Sequence, residues 1–198
     1  MKYYLLSQDL SNDGKWVLGD INHVDNWLFR NPTVDLMEPG SYSLSVRFDG
    51  DEVDFSLAGY ASVPVVGDKV VRSLAGLPEV DELYSNVIFS PVEIENRSSE
   101  NNYFIMIVET QVDCVDEERS DFSIYSEDDP VRPDLAGNYR SFFNLVILPE
   151  KIDGRHIFRL KRRLGVLIVS EEVKRRFECA GVTGVVFKLL NGSDKVVA

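Results

Sequence analysis

The segment between Ser170 and Gly181 constrains this chain more than any other, because both ends of one helix are written into it. Ser170 suits an N-cap, since its hydroxyl can accept a bond from a first-turn N–H that has no partner inside the helix. Glu171 and Glu172 set negative charge against the positive end of the helix dipole, and Lys174, Arg175 and Arg176 carry positive charge toward the other end. Gly181 can take the left-handed conformation that stops the helix, so a short helix over about 171 to 180 follows. Apolar runs flank it, His156-Ile157-Phe158-Arg159-Leu160 and Leu167-Ile168-Val169 before, Val182-Thr183-Gly184-Val185-Val186-Phe187 after. The C-terminal region therefore reads as a strand, a capped helix and a further strand.

Upstream the periodicity is mostly that of strands. Leu44, Val46 and Phe48 alternate with polar residues, as do Val53, Phe55 and Leu57 beyond Asp49-Gly50, which predicts a hairpin over 43–57. Tyr3–Leu6 and Trp16–Leu18 around Asn12-Asp13-Gly14 suggest an earlier hairpin. Val70, Val71 and Leu74 recur at helical spacing, with Asp68 as the expected cap and Gly76-Leu77-Pro78 as the expected end. Asn86–Phe89 and Val92–Glu95 read as strands separated by Pro91. Tyr103–Val108 is an unbroken apolar run, the best candidate for a central strand covered on both faces, and Phe142–Leu148 is similar. The expectation is an α+β fold, a predominantly antiparallel β-sheet with a few short helices and the C-terminal strand-helix-strand unit, in a single domain over 1–198.

Residues 116–138 have the composition of a linker, rich in carboxylates and containing Pro130 and Pro133. A long surface loop, pinned at its middle by Phe122-Ser123-Ile124-Tyr125, is preferred over a domain boundary. This is the candidate partner-binding surface: Asp113, Asp116, Glu117, Glu118, Asp121, Glu127, Asp128 and Asp129 can pair with lysines or arginines of a partner, while Phe122 and Tyr125 supply aromatic anchors. Reversing Glu117, Glu118, Asp128 and Asp129 to lysine should weaken capture without unfolding the chain. The plainer alternative is a solvated acidic loop whose aromatics only fix it to the core.

Charge points the same way. The formal net charge is −12, and it is uneven: residues 1–154 hold 29 acidic and 11 basic side chains, residues 155–198 hold 4 and 10. Such a field disfavours nucleic acid and anionic membranes and favours steering of a basic protein. Cys114 and Cys179 lack metal-site or redox spacing, so free thiols in a reducing compartment are expected. The N-terminal apolar run is too short for a signal peptide, so a cytoplasmic location is expected.

Catalytic and cofactor patterns are absent. His23 and His156 have no ligand or nucleophile partner at recognisable spacing, no G-x-S-x-G elbow occurs, and Gly181-Val182-Thr183-Gly184 follows a helix instead of opening one. Asp9, Ser11, Asp13, Gly14 and Asp20 echo a calcium loop, but the last position prefers glutamate and the flanks read as strands. Arg159, Lys161, Arg162 and Arg163 read as solvent-facing positions between Phe158, Leu160 and Leu164, available for internal pairing with the acidic region. No cofactor or metal is expected.

Phe158-Arg159-Leu160, Ile168-Val169-Ser170-Glu171 and Gly181–Phe187 together resemble a family of bacterial immunity proteins, the eleventh numbered family of the polymorphic-toxin classification, formerly a domain of unknown function. The resemblance extends more weakly through Pro64-Val65-Val66, Ser90-Pro91-Val92, Tyr103-Phe104-Ile105-Met106 and Asp113-Cys114-Val115-Asp116, with echoes in Tyr3-Tyr4-Leu5-Leu6. Where the family usually shows a serine after Pro64, this chain has Gly67-Asp68. The resemblance implies a stoichiometric inhibitor, not an enzyme, whose partner is a cognate toxin or effector domain. The alternatives are a small-molecule-binding domain or enzyme with a pocket between the sheet and the C-terminal helix, or a structural subunit.

Overall fold

Alternation sorts most of the chain onto the faces of two sheets. In a computed structural model, residues 1–11, 14–22, 42–59, 63–81, 86–97, 99 and 101–190 are described. The N-terminal half holds β1 (Tyr3–Gln8), β2 (Val17–Ile21), β3 (Tyr42–Phe48), β4 (Phe55–Ala58), β5 (Val63–Gly67), α1 (Asp68–Leu74) and α2 (Pro78–Asp81). Then come β6 (Val87–Ile94), β7 (Tyr103–Val108), β8 (Gln111–Val112), β9 (Asp121–Ile124) and β10 (Tyr139–Asn144). The C-terminal unit is β11 (Ile157–Leu160), β12 (Arg163–Ser170), α3 (Glu171–Ala180) and β13 (Val185–Leu189). The fold is α+β with mainly antiparallel pairing, as the sequence predicts, and the strand-helix-strand unit is present. Among the described residues no helix is long and apolar enough to cross a membrane.

One sheet runs β2-β3-β6-β7-β5-β4 and curls until its end strands meet, where Gly59 N donates to Gly19 O at 3.1 Å. Its inner face buries Trp16, Leu18, Leu44, Val65, Ile105 and Ile107. The other sheet runs β13-β1-β12-β11-β8. Leu6, Ile157, Leu167 and Val169 from that sheet meet Val66, Met106 and Val108 from the first, and α1 and α3 close the layer with Val70, Leu74, Val173 and Phe177. On its far side, Tyr3, Phe158, Leu160 and Ile168 lie under Tyr139, Ile147 and Ile152. Strand β7 is central, between β6 and β5, and the unbroken run Tyr103–Val108 follows from sending alternate residues into two different buried layers.

Neither expected hairpin forms. β3 pairs with β2 and β6, and β4 pairs with β5; Asp49-Gly50-Asp51 packs instead on the entry to β2, with Asp51 N donating to Gly14 O and Trp16 N to Asp51 O. β1 lies in the other sheet from β2, between β12 and β13; Asn12 and Asp13 of its expected turn fall outside the described residues. Period two fixes which face a residue takes and leaves the neighbouring strand open. Pro91 does not end a strand: β6 runs through it, because β3 joins β6 only from Val92 onward and the missing N–H costs no ladder bond there. Asp68 is the first residue of α1, not its cap; Gly67 takes that position and the Asp68 carboxylate accepts from Asn102 Nδ2 at 3.0 Å. Phe142–Leu148 is not a covered strand either. It splits into the end of β10 and a bridge pairing Ile147 with Val115.

α3 is capped as expected, Ser170 Oγ accepting from Val173 N at 3.4 Å and Gly181 adopting φ +63°. The turn after it is tied to the other sheet. Asp54 Oδ2 accepts from Lys69 Nζ at 2.9 Å and from the Thr183 N–H and hydroxyl at 2.8 Å each, and Phe55 N donates to Thr183 O. Burial pushes the Asp54 carboxyl up, but the Lys69 and Thr183 bonds outweigh it and hold the group below its usual range. A depressed folded pKa contributes stability that is complete above the unfolded value, near 4, and is lost as pH falls through the folded value. Urea midpoints measured across this window are therefore expected to fall more steeply for wild type than for Asp54→Asn. Parallel slopes would remove Asp54 from the acid response.

Candidate functional site

The acidic segment is organised by an aromatic cluster. β9 and β10 form a separate two-stranded ribbon, so the predicted loop contains a strand where only a docked loop was expected. Its inner face presents Phe122, Tyr139 and Phe142, with ring centroids 4.8–6.1 Å apart, onto the five-stranded sheet. Phe122 is thus an internal anchor. Tyr125, half-buried at the far end of the ribbon, lies under the Arg140 guanidinium, 5.5 Å from its ring centroid.

Three of the predicted carboxylates are committed within the fold. Asp116 accepts from Arg119 N at 3.1 Å and Arg119 Nε at 2.6 Å, closing the turn that leads into β9. Glu117 Oε1 accepts from the Tyr139 hydroxyl at 2.5 Å and from Arg162 Nη1 at 2.7 Å, and these bonds hold its pKa below the usual range. The same guanidinium covers the Tyr139 ring at 4.3 Å and donates twice to Gly137 O. Arg162 thus makes the pairing expected between the basic stretch and the acidic region. Asp129 is buried and accepts from Arg132 N at 2.8 Å and Val131 N at 3.0 Å, which lower its pKa, and from Arg140 at 3.1 Å. Glu117 and Asp129 thus carry bonds within the fold, and lysine at either position is expected to remove them as well as any contact with a partner.

Asp113, Glu118, Asp121, Glu127 and Asp128 are exposed and enter no ion pair among the described residues. Asp113 and Glu118, with Asp116, Glu117, Lys151 and Arg162, line a shallow pocket of about 590 Å³. The sequence reasoning missed Phe143, which is 74% exposed beside this edge. A signal for it existed: adjacent Phe142 and Phe143 in one strand must face opposite sides, so one of them points outward.

The other candidates resolve into structure. Arg159 is 1% exposed, not solvent-facing; it shares the face of Ile157, which lies between the sheets, and donates to Val108 O at 3.1 Å and Leu164 O at 2.6 Å. Burial without a carboxylate lowers its pKa to about 10. His156 Nδ1 lies 2.9 Å from Ser170 Oγ, but Glu79 Oε1 accepts from the His156 backbone N–H, not from its ring, and Ser170 is fully buried as a helix cap. Lys15 Nζ occupies the Asp9 carboxylate of the calcium-like pattern. Among the described residues no group of His, Cys, Asp or Glu is placed to hold a metal ion. Cys114 and Cys179 are both free thiols, and burial pushes Cys114 up to about 12. His23 lies outside the described residues. The space between the sheets and α3, where a ligand pocket was the alternative, is filled by Leu74, Val173 and Phe177.

No curated protein matches this sequence. A family model described as Immunity protein family (Imm11) matches residues 82–191, from just before β6 to just beyond β13. The match includes the capped helix, the ribbon and all of the predicted partner-binding residues, while Pro64-Val65-Val66 and Tyr3–Leu6 lie upstream of it. It spans more than half of the chain, and the chain belongs to the Imm11 immunity protein family.

Proposed function

We propose that this protein neutralises a cognate toxin or effector domain by binding it stoichiometrically, without catalysis, in the cytoplasm of the cell that makes it. Membership of an immunity protein family carries this reading. The exposed carboxylates of the β9–β10 region, without ion pairs among the described residues, support it further, because they favour a basic partner and raise its rate of encounter. The direct test is growth of a susceptible bacterium producing the protein encoded beside this one, with and without this chain. Rescue together with a co-purified complex supports immunity; toxicity without rescue overturns it.

Structure refines the charge-reversal experiment. Among the described residues, no side-chain bond that holds the fold involves Glu118, Asp121, Glu127 or Asp128, so the four can be changed to lysine together. The expected result is association with the toxin slowed about 10- to 100-fold at low ionic strength, narrowing as salt is added, with thermal stability retained. An unchanged association rate would take this region out of the encounter surface.

A further inference from the structure

We infer that the outward face of the β9–β10 ribbon, centred on Phe143, is the anchor by which the basic partner is held, an inference that rests on the immunity reading above. Free acids alone explain attraction and not residence. Slow release is favoured by an aromatic group that becomes buried at the centre of the contact. Phe143 suits that role through local geometry. The pairing of β10 with β9 shifts between Phe142 and Asn144, a bulge that leaves Phe143 without an opposite residue and aims it off the ribbon. Its neighbours Phe122 and Phe142 pack inward, so the backbone beneath the exposed ring is fixed.

The surroundings specify the partner's chemistry. Asn144 Nδ2 donates to Arg119 O at 3.3 Å, and Ser120 Oγ to Val146 O at 3.1 Å, which brings the turn before β9 alongside Phe143. Glu118 and Asp121 leave that turn exposed and without ion pairs among the described residues, whereas Arg119 is held by Asp116. An aromatic ring beside two free carboxylates fits a protein surface with an apolar depression bordered by lysine or arginine. The other exposed phenylalanine among the described residues, Phe48, 62% exposed on β3, has Arg47 over its ring at 5.9 Å and provides a control.

The experiment is kinetic binding of the full chain to the purified product of the adjacent gene, at low and high salt. Phe143→Ala is expected to weaken affinity about 30-fold or more, mainly through faster release, with an unchanged melting temperature because the ring is exposed. Glu118→Lys with Asp121→Lys should slow association about 10-fold at low salt and much less at high salt. Phe48→Ala should bind as wild type. Wild-type binding with no loss in Phe143→Ala overturns the anchor and leaves the immunity role standing; absence of wild-type binding overturns both.

Discussion

Gly184→Ala is expected to destabilise the protein by roughly 3 to 5 kcal/mol, the combined scale of a strained backbone and an overpacked core. Gly184 has φ +82°, a conformation that side-chain-bearing residues rarely adopt. A Cβ there would stand 2.3 Å from Phe55 O and 2.7 Å from Val53 Cγ2, and the first of these is backbone that cannot swing aside. The turn is also sewn down on both sides, Asp9 N donating to Gly184 O at 2.9 Å and Phe55 N to Thr183 O at 3.1 Å. Relief of the clash would require parting the two sheets where Asp54 and Thr183 join them. Urea unfolding measures the effect, and a loss below about 1 kcal/mol would mean that the turn yields more easily than this geometry implies.

Trp16→Ala should cost a similar amount, about 3 to 5 kcal/mol, through a cavity in the curled sheet. Trp16 is fully buried, its ring centroid 5.0 Å from that of Tyr103, with the Arg97 guanidinium 5.4 Å away on the same ring. Its indole N–H donates to Ser56 Oγ at 2.8 Å, and Ser56 is itself buried. Trp16→Phe separates the two contributions: it keeps most of the volume but leaves Ser56 without its donor, for an expected loss of about 1 to 3 kcal/mol. Equal losses in the two variants would show that the hydrogen bond dominates and the ring does not. Because total stability of a native protein is of order 5 to 15 kcal/mol, either the alanine or the Gly184 change consumes a large part of the margin.

Local chemistry explains which features could be read in advance. α3 was legible residue by residue, since capping, dipole complementarity and a left-handed stop are all properties of its own sequence. Strand existence was legible for the same reason, and Tyr103–Val108 was recognisable as central because only doubly covered strands lose alternation. Partners were not. Asp49-Gly50 carries the chemistry of a tight turn, yet the flanking strands β3 and β4 are separated by three others in their sheet. Within the candidate surface, the acidic character was evident, but the sequence did not distinguish Glu117 and Asp129, bonded inside the fold, from Glu118 and Asp128, which enter no ion pair among the described residues. That distinction depends on Arg162, Tyr139 and Arg140, residues brought near by the packing of a ribbon on a sheet.

By itself, then, the sequence determined the capped helix, the faces of its strands, the uneven charge and the family. Each of these is set by side chains within a few residues of one another or by composition. Tertiary structure alone decided the strand order, the burial of Arg159 between two sheets, the tie between Asp54 and Thr183, and which of Phe142 and Phe143 is exposed. These depend on contacts between segments far apart in the chain, and alternation of period two allows many strand orders with the same faces buried.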